Sequence, residues 1–78
     1  MFNVYKIEPK SYNGYRGLSL VAANTIEDAN KYIEDLKKND VGNNMDSGGY
    51  CSVNKHDLLD GVYSEKTGII HYGIEYYG

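Results

Sequence analysis

The pattern of apolar and polar residues predicts a strand that runs directly into a helix in the first half of the chain. Residues 17–23 are a short apolar run, and Asn24 and Thr25 interrupt it. After this break, apolar residues recur every three or four positions, which is the spacing of one helix face. They are Ile26, Ala29, Ile33 and Leu36. One narrow stripe of this kind predicts a helix over residues 26–38 that packs on a single surface, and a sheet is the expected surface.

Residues at both ends of this predicted helix favour its initiation and its termination there. Thr25 is a good N-cap, and Asp28 three residues later resembles the second member of a capping box. Glu27 and Asp28 lie at the positive end of the helix dipole. Lys37 and Lys38 lie at its negative end. These local signals predict the start and the end of the helix.

Residues 2–8 predict the first strand, and Pro9 ends it because proline has no N–H to donate to a strand ladder. Asn13-Gly14 in the next loop is a strong two-residue hairpin signal. We therefore expect the first strand to pair antiparallel with the strand over residues 17–23. The pattern leaves open which face of the sheet the helix covers.

The middle of the chain predicts a loop followed by a third strand. Residues 39–49 are rich in Asn, Asp and Gly and have no periodicity, which is typical of a loop. Residues 50–54 are predicted to form the third strand, with Cys51 and Val53 pointing inward. Residues 56–61 fit either a helical turn or the start of another strand.

A tight turn is predicted over residues 65–68, with Gly68 in the left-handed region. Residues 62–64 are therefore predicted to form a hairpin with the strand that begins at Ile69. From Ile70 onward the chain alternates regularly, which predicts one continuous final strand. Its two faces would carry Ile70, Tyr72, Ile74 and Tyr76 on one side, and His71, Gly73, Glu75 and Tyr77 on the other.

These elements follow the order β-β-α-β-β-β. The expected fold class is α+β, a mainly antiparallel sheet of four to five strands with one helix packed on one face. Residues 1–78 are expected to form a single domain, because the chain has only 78 residues.

Length and composition bound the function. A chain this short buries only about 60 % of its unfolded surface, and its single cysteine excludes an intramolecular disulfide. The missing stability must therefore come from a tight core or from homo-oligomerisation. The net charge of −3 weighs against nucleic-acid binding. The absence of a signal peptide pattern and of a long apolar run predicts a cytoplasmic protein without a membrane anchor.

The sequence predicts no catalytic centre, metal site or cofactor. A thiol-dependent enzyme would need Cys51 beside His56 or His71, with a carboxylate such as Asp57 to orient the histidine. Cys51 lies in a predicted strand where a small buried residue is expected, so we predict an inert thiol. No phosphate-binding glycine motif is present. The acidic loop over residues 40–46 lacks the ligand spacing of a calcium-binding EF-hand.

Tyrosine is the unusual feature of the composition, with nine tyrosines against one phenylalanine and no tryptophan. Tyrosine is enriched at interfaces because it combines a large contact area with a polar tip. We therefore predict a partner-binding surface. Its expected residues are Tyr50, Tyr63, His71, Tyr72, Glu75, Tyr76 and Tyr77.

Residues 17–29 also resemble a stretch that is common in short, uncharacterised proteins of phages and bacterial mobile elements. The shared pattern is an apolar Val-Ala-Ala strand followed by a Thr-x-Glu-Asp-Ala helix start, here Val21 to Ala29. The resemblance implies no catalytic residues. It implies an origin in which small proteins block or sequester a host or defence component.

Two main hypotheses of function follow. The first is a small non-enzymatic protein that binds another protein through its tyrosine-rich acidic surface. The second is a homo-oligomer that binds a small nucleotide-like ligand at the subunit interface, with the ligand held by Tyr rings and by Arg16 or lysine side chains. A thiol-dependent enzyme at Cys51 is the third, least favoured alternative.

Overall fold

The computed structural model describes residues 1–9, 15–39 and 51–76, and it has the expected α+β fold with one helix on an antiparallel sheet. The elements in the described part are β1 (Phe2–Ile7), β2 (Tyr15–Arg16), β3 (Ser19–Ala23), α1 (Ile26–Asn39), a 3-10 helix (Lys55–Asp57), β4 (Leu58–Ser64), β5 (Gly68–His71) and β6 (Glu75–Tyr76). The predicted limits of the helix are confirmed to within one residue.

The main sheet has four strands in the order β4-β1-β3-β5, and each neighbouring pair is antiparallel. The predicted pairing of the first two long strands is confirmed, with Asn3 opposite Ala23 and Ile7 opposite Ser19. The Asn13-Gly14 turn signal lies outside the described residues. β2 and β6 form a separate two-stranded antiparallel sheet.

The hydrophobic core lies between α1 and one face of the main sheet. Residues directly opposite each other in an antiparallel pair share a face, and neighbours along a strand alternate. Tyr5 and Val21 are such a pair, and both are buried in the core with Ala29 and Ile33 of the helix. The predicted helix stripe is therefore confirmed, and the odd-numbered residues of β1 and β3 form the face that α1 covers.

The predicted N-cap is also confirmed. The Thr25 hydroxyl oxygen accepts a hydrogen bond of 3.1 Å from the backbone N–H of Asp28. The Thr25 carbonyl accepts the first helical hydrogen bond, 3.0 Å long, from the N–H of Ala29. The first turn of α1 is thus held by residues within four positions of one another, which is why local sequence predicts it.

The predicted third strand is wrong in its described part, because residues 51–54 form no strand. Val53 is buried in the core, as expected, but the side chain of Asn30 takes the place of a neighbouring strand. Its carboxamide oxygen accepts from the Val53 N–H at 2.9 Å, and its nitrogen donates to the Val53 carbonyl at 3.2 Å. An asparagine amide carries both a donor and an acceptor, so one side chain satisfies both backbone groups.

Removing this Asn30–Val53 clip should destabilise the domain measurably. Asn30→Ala leaves the N–H and the carbonyl of a buried residue without these partners, and we expect a loss of about 1–3 kcal/mol in the free energy of unfolding. Urea denaturation would measure it. Lys31→Ala, at the exposed neighbouring position of α1, is the control and should change stability by less than about 0.5 kcal/mol. Equal losses in the two variants would contradict a stabilising clip.

Residues 56–61, which fitted either a helical turn or a strand, contain the end of one and the start of the other. The 3-10 helix ends at Asp57, and β4 begins at Leu58. The Asp57 carboxylate accepts a hydrogen bond of 2.8 Å from the Asn54 backbone N–H. The turn therefore has its own local cap immediately before the strand.

The predicted hairpin between residues 62–64 and Ile69 is wrong. β4 and β5 form opposite edges of the main sheet, so three strand spacings, or about 14 Å, separate them. Gly68 does have the predicted left-handed conformation, with φ of 103°. The connection crosses the end of β3, where the Thr67 hydroxyl donates to the Ala22 carbonyl at 2.8 Å.

The predicted continuous last strand is also wrong, because β5 ends at His71 and the chain resumes as β6 only at Glu75. Between them, the Gly73 N–H donates a hydrogen bond of 3.0 Å to the hydroxyl of buried Ser19. Ile74 then enters the core beneath α1. Ile70 and Tyr72, predicted to share a face with Ile74, are exposed instead.

Candidate interaction surface

The structure describes the side chains of three residues of the predicted partner-binding surface, namely Tyr63, His71 and Tyr72. Tyr50 and Tyr77 lie outside the described residues. Glu75 and Tyr76 are described only as backbone, in the β6 strand that pairs with β2. The tyrosine-rich surface can therefore be examined at two places, β4 and the end of β5.

These two places lie at opposite edges of the main sheet. Tyr63 is in β4, whereas His71 ends β5 and Tyr72 follows it. Because β1 and β3 lie between the two edge strands, the structure brings His71 and Tyr72 together but places Tyr63 apart from them. A partner of ordinary size could use either edge by itself.

The β4 edge offers more exposed apolar surface than the predicted residues suggested. Tyr63 is 59 % exposed, Val62 is 44 % exposed and Leu58 is 37 % exposed. We call these three residues the β4 edge surface. Leu58 and Val62 were not predicted. The signal that could have found Val62 is its position next to Tyr63, because consecutive large apolar residues in a strand must lie on opposite faces.

The position of β4 at the edge of the sheet explains why it exposes apolar side chains. Tyr63 lies opposite Asn3, so it is on the face that α1 covers, and Val62 lies in the neighbouring stretch 59–62, where the register with β1 shifts. At an edge strand the helix covers only part of its own side. The exposed side chains of Val62 and Tyr63 therefore border the same edge of the sheet.

The backbone of β4 is less suited to pairing with an added strand. Residues 59–62 of β4 lie opposite the single residue Val4 of β1, and Gly61 in this bulge has φ of 76°. Bulges and charged residues such as exposed Asp60 are the features by which proteins protect edge strands from further pairing. The β4 edge therefore offers its side chains, rather than a regular row of backbone groups, to a partner.

The second exposed group lies at the end of β5. Tyr72 is 51 % exposed and Ile70 is 38 % exposed. Leu18, also exposed, belongs to the same region because its carbonyl lies against Gly73. His71 lies opposite Leu20 of β3 after a shift in register. This group is apolar like the β4 edge surface and serves as its natural comparison.

The ion pair between Lys6 and Glu8 is local and exposed. Lys6 Nζ lies 2.8 Å from Glu8 Oε1 at the end of β1. The hydrogen bond and the charge of Lys6 lower the pKa of the Glu8 carboxyl, and the same pair raises the pKa of Lys6. Because the Glu8 pKa is lowered on folding, the stabilisation from Glu8 exists above its unfolded pKa and is lost as the pH falls through its folded pKa. Exposed pairs of this kind contribute little to stability.

The residues that the thiol-enzyme hypothesis requires lie on different segments of the described chain. Cys51 is only partly buried. His56 Nε2 lies 3.8 Å from Asp57 Oδ1, but His71 is in the strand at the far edge of the sheet from β4. Within residues 1–9, 15–39 and 51–76, no group of three or more His, Cys, Asp or Glu side chains is placed to hold a metal ion.

Comparison with known proteins adds no family. No family model matches this chain, and no curated protein or solved structure is significantly similar to it. α1 is too short and too polar to cross a membrane, and no other helix in the described part of the chain is long and apolar enough to do so.

Proposed function

We propose that this chain is a small non-enzymatic protein that binds another protein through the β4 edge surface. The observation that carries the proposal is the exposure of Val62 and Tyr63, side by side on an edge strand. A partner that covers this edge would bury both side chains at once. Such buried aromatic anchors supply most of the binding energy in protein interfaces.

Charge supports a partner with a basic contact surface. Asp60 in β4 and Glu65 after it are both exposed, and the whole chain has a net charge of −3. Acidic residues beside an apolar anchor accelerate association with a basic partner and disfavour acidic ones. The apolar side chains would supply affinity, and the carboxylates would supply selectivity.

The biological role we propose follows from the resemblance of residues 17–29 to proteins of phages and mobile elements. A small binding protein of that origin would block a host or defence protein by covering its surface, and this action would take place in the cytoplasm. Blocking a protein by covering its surface requires no catalytic group in this chain.

Truncating Tyr63 should abolish partner binding without unfolding the domain. We expect Tyr63→Ala to weaken binding at least about tenfold, since an interface anchor contributes more than about 1.4 kcal/mol. Tagged wild-type and variant proteins would be compared by quantitative mass spectrometry of proteins captured from cells that express the chain. Val62→Asp should have the same effect, and circular dichroism should show that both variants are folded.

Tyr72→Ala is the matched control, because Tyr72 is similarly exposed but lies at the opposite edge. It should capture the same partner as the wild type. Loss of the partner in Tyr72→Ala but not in Tyr63→Ala would move the site to the end of β5. Full capture by both variants would reject both tyrosines as anchors.

A further inference from the structure

The exposed side of α1 carries a regular pattern of alternating charge. Glu27, Lys31, Glu34 and Lys38 follow one another at spacings of four, three and four residues, which places them on one stripe of the helix. All four side chains are exposed. A shallow depression, open to solvent, runs along this stripe. It is lined by Glu27, Asn30, Lys31, Glu34, Asp35 and Lys38.

This set of residues is complementary to itself. Consider a second α1 that lies antiparallel on the first and is related to it by a two-fold axis midway between residues 32 and 33. Residues that lie equally far from this axis, on either side of it, face each other across the interface. Glu27 then meets Lys38 of the other copy, and Lys31 meets Glu34. A two-fold interface requires this kind of self-complementary surface.

We propose that this charged stripe is a self-association surface, on which α1 of one copy packs antiparallel against α1 of a second copy. The antiparallel arrangement also places the acidic first turn of each helix beside the basic last turn of the other, which aligns the two helix dipoles favourably. The stripe is separate from the β4 edge surface, so the proposal does not depend on the proposed function.

Charge complementarity selects a second copy as the occupant. The stripe has two acidic and two basic residues, so it has no net charge to attract a uniformly basic or acidic partner. A second copy offers opposite charges at all four positions.

The stripe contains no apolar anchor, so the association should be weak and sensitive to salt. Exposed ion pairs are individually weak, and stable interfaces have apolar centres. We expect dimers at about 1 mM protein in about 0.01 M salt. They should dissociate in about 1 M salt, where the Debye length falls to about 3 Å. Sedimentation equilibrium of the full chain would measure both states.

Charge reversal provides the decisive test. Lys31→Glu and Glu34→Lys should each weaken self-association at least about fivefold, because each places like charges opposite one another twice in the symmetric dimer. The double variant should restore it. An equimolar mixture of the two single variants should also associate. In the mixed dimer, one chain carries carboxylates at both positions 31 and 34, and the other carries ammonium groups at both. Opposite charges therefore face each other across the interface.

The mixture separates contacts between copies from effects within one helix, because each chain in it keeps like charges at positions 31 and 34. Within its helix, the double variant has like charges at positions 27 and 31 and again at positions 34 and 38. Each single variant has one of these two unfavourable pairs. Circular dichroism should show equal helix content in all variants. A wild-type chain that stays monomeric at low salt would overturn the proposal. So would a dimer that both single variants leave unchanged, because it would have to form through another surface.

Discussion

Gly17→Ala should unfold the domain or reduce its free energy of unfolding by about 3 kcal/mol or more. Gly17 has φ of 100°, a conformation that is strained for any residue with a Cβ atom. A Cβ at this position would also overlap the Gly73 carbonyl oxygen. That oxygen is backbone, held in place because the Gly73 N–H donates to buried Ser19, so it cannot move aside as a flexible side chain could.

Gly61→Ala is the control that separates strain from overlap. Gly61 also has a positive φ, of 76°, but a Cβ there would meet nothing within 4 Å. We expect Gly61→Ala to lower the free energy of unfolding only by the cost of the left-handed conformation, about 1–2 kcal/mol. Chemical denaturation of both variants would measure the difference. Equal destabilisation would show that the crossing of the two backbones at Gly17 and Gly73 tolerates a methyl group.

Ile33→Asp should abolish the folded state. Ile33 is fully buried at the centre of the helix stripe, against the sheet. The change removes a large apolar side chain from the core and puts a carboxylate in its place. The first effect alone costs about 2–5 kcal/mol, and burial of an unpaired charge adds several more. The total is comparable to the whole stability expected of a domain of this size, about 4–12 kcal/mol.

The same substitution at Ile70 is the matched control, because Ile70 is partly exposed on the edge strand β5. Ile70→Asp should remain folded, with a dispersed amide NMR spectrum and a cooperative thermal transition. Ile33→Asp should show neither. A folded Ile33→Asp protein within about 1 kcal/mol of the wild type would mean that α1 does not hold the core together.

The elements predicted correctly from sequence are those whose causes lie within a few residues. The Thr25 cap joins atoms three residues apart, and the stripe from Ile26 to Leu36 repeats within about three turns. The left-handed Gly68 follows from its place in a turn. For the interaction surface, the exposure of Tyr63 and Tyr72 agrees with expectation, whereas their separation to opposite edges depends on the order of strands in the sheet.

The incorrect predictions all concern contacts between distant parts of the chain. An alternating pattern at residues 50–54 shows that Val53 points inward, but not that Asn30, which lies 23 residues earlier, satisfies its backbone. The short turn before Gly68 resembles a hairpin. However, β1 and β3 pair with each other, so the edges left for β4 and β5 are on opposite sides.

By itself, the sequence determined the α+β class, the extent and cap of the single helix, the apolar stripe that it buries, and the antiparallel pairing of its first two long strands. Tertiary structure alone decided the order of the edge strands, the Asn30–Val53 clip and the break between His71 and Glu75. The physical reason is that capping and helical periodicity act between neighbours. Strand pairing uses backbone groups that are the same in every residue, so long-range packing must choose among the available partners.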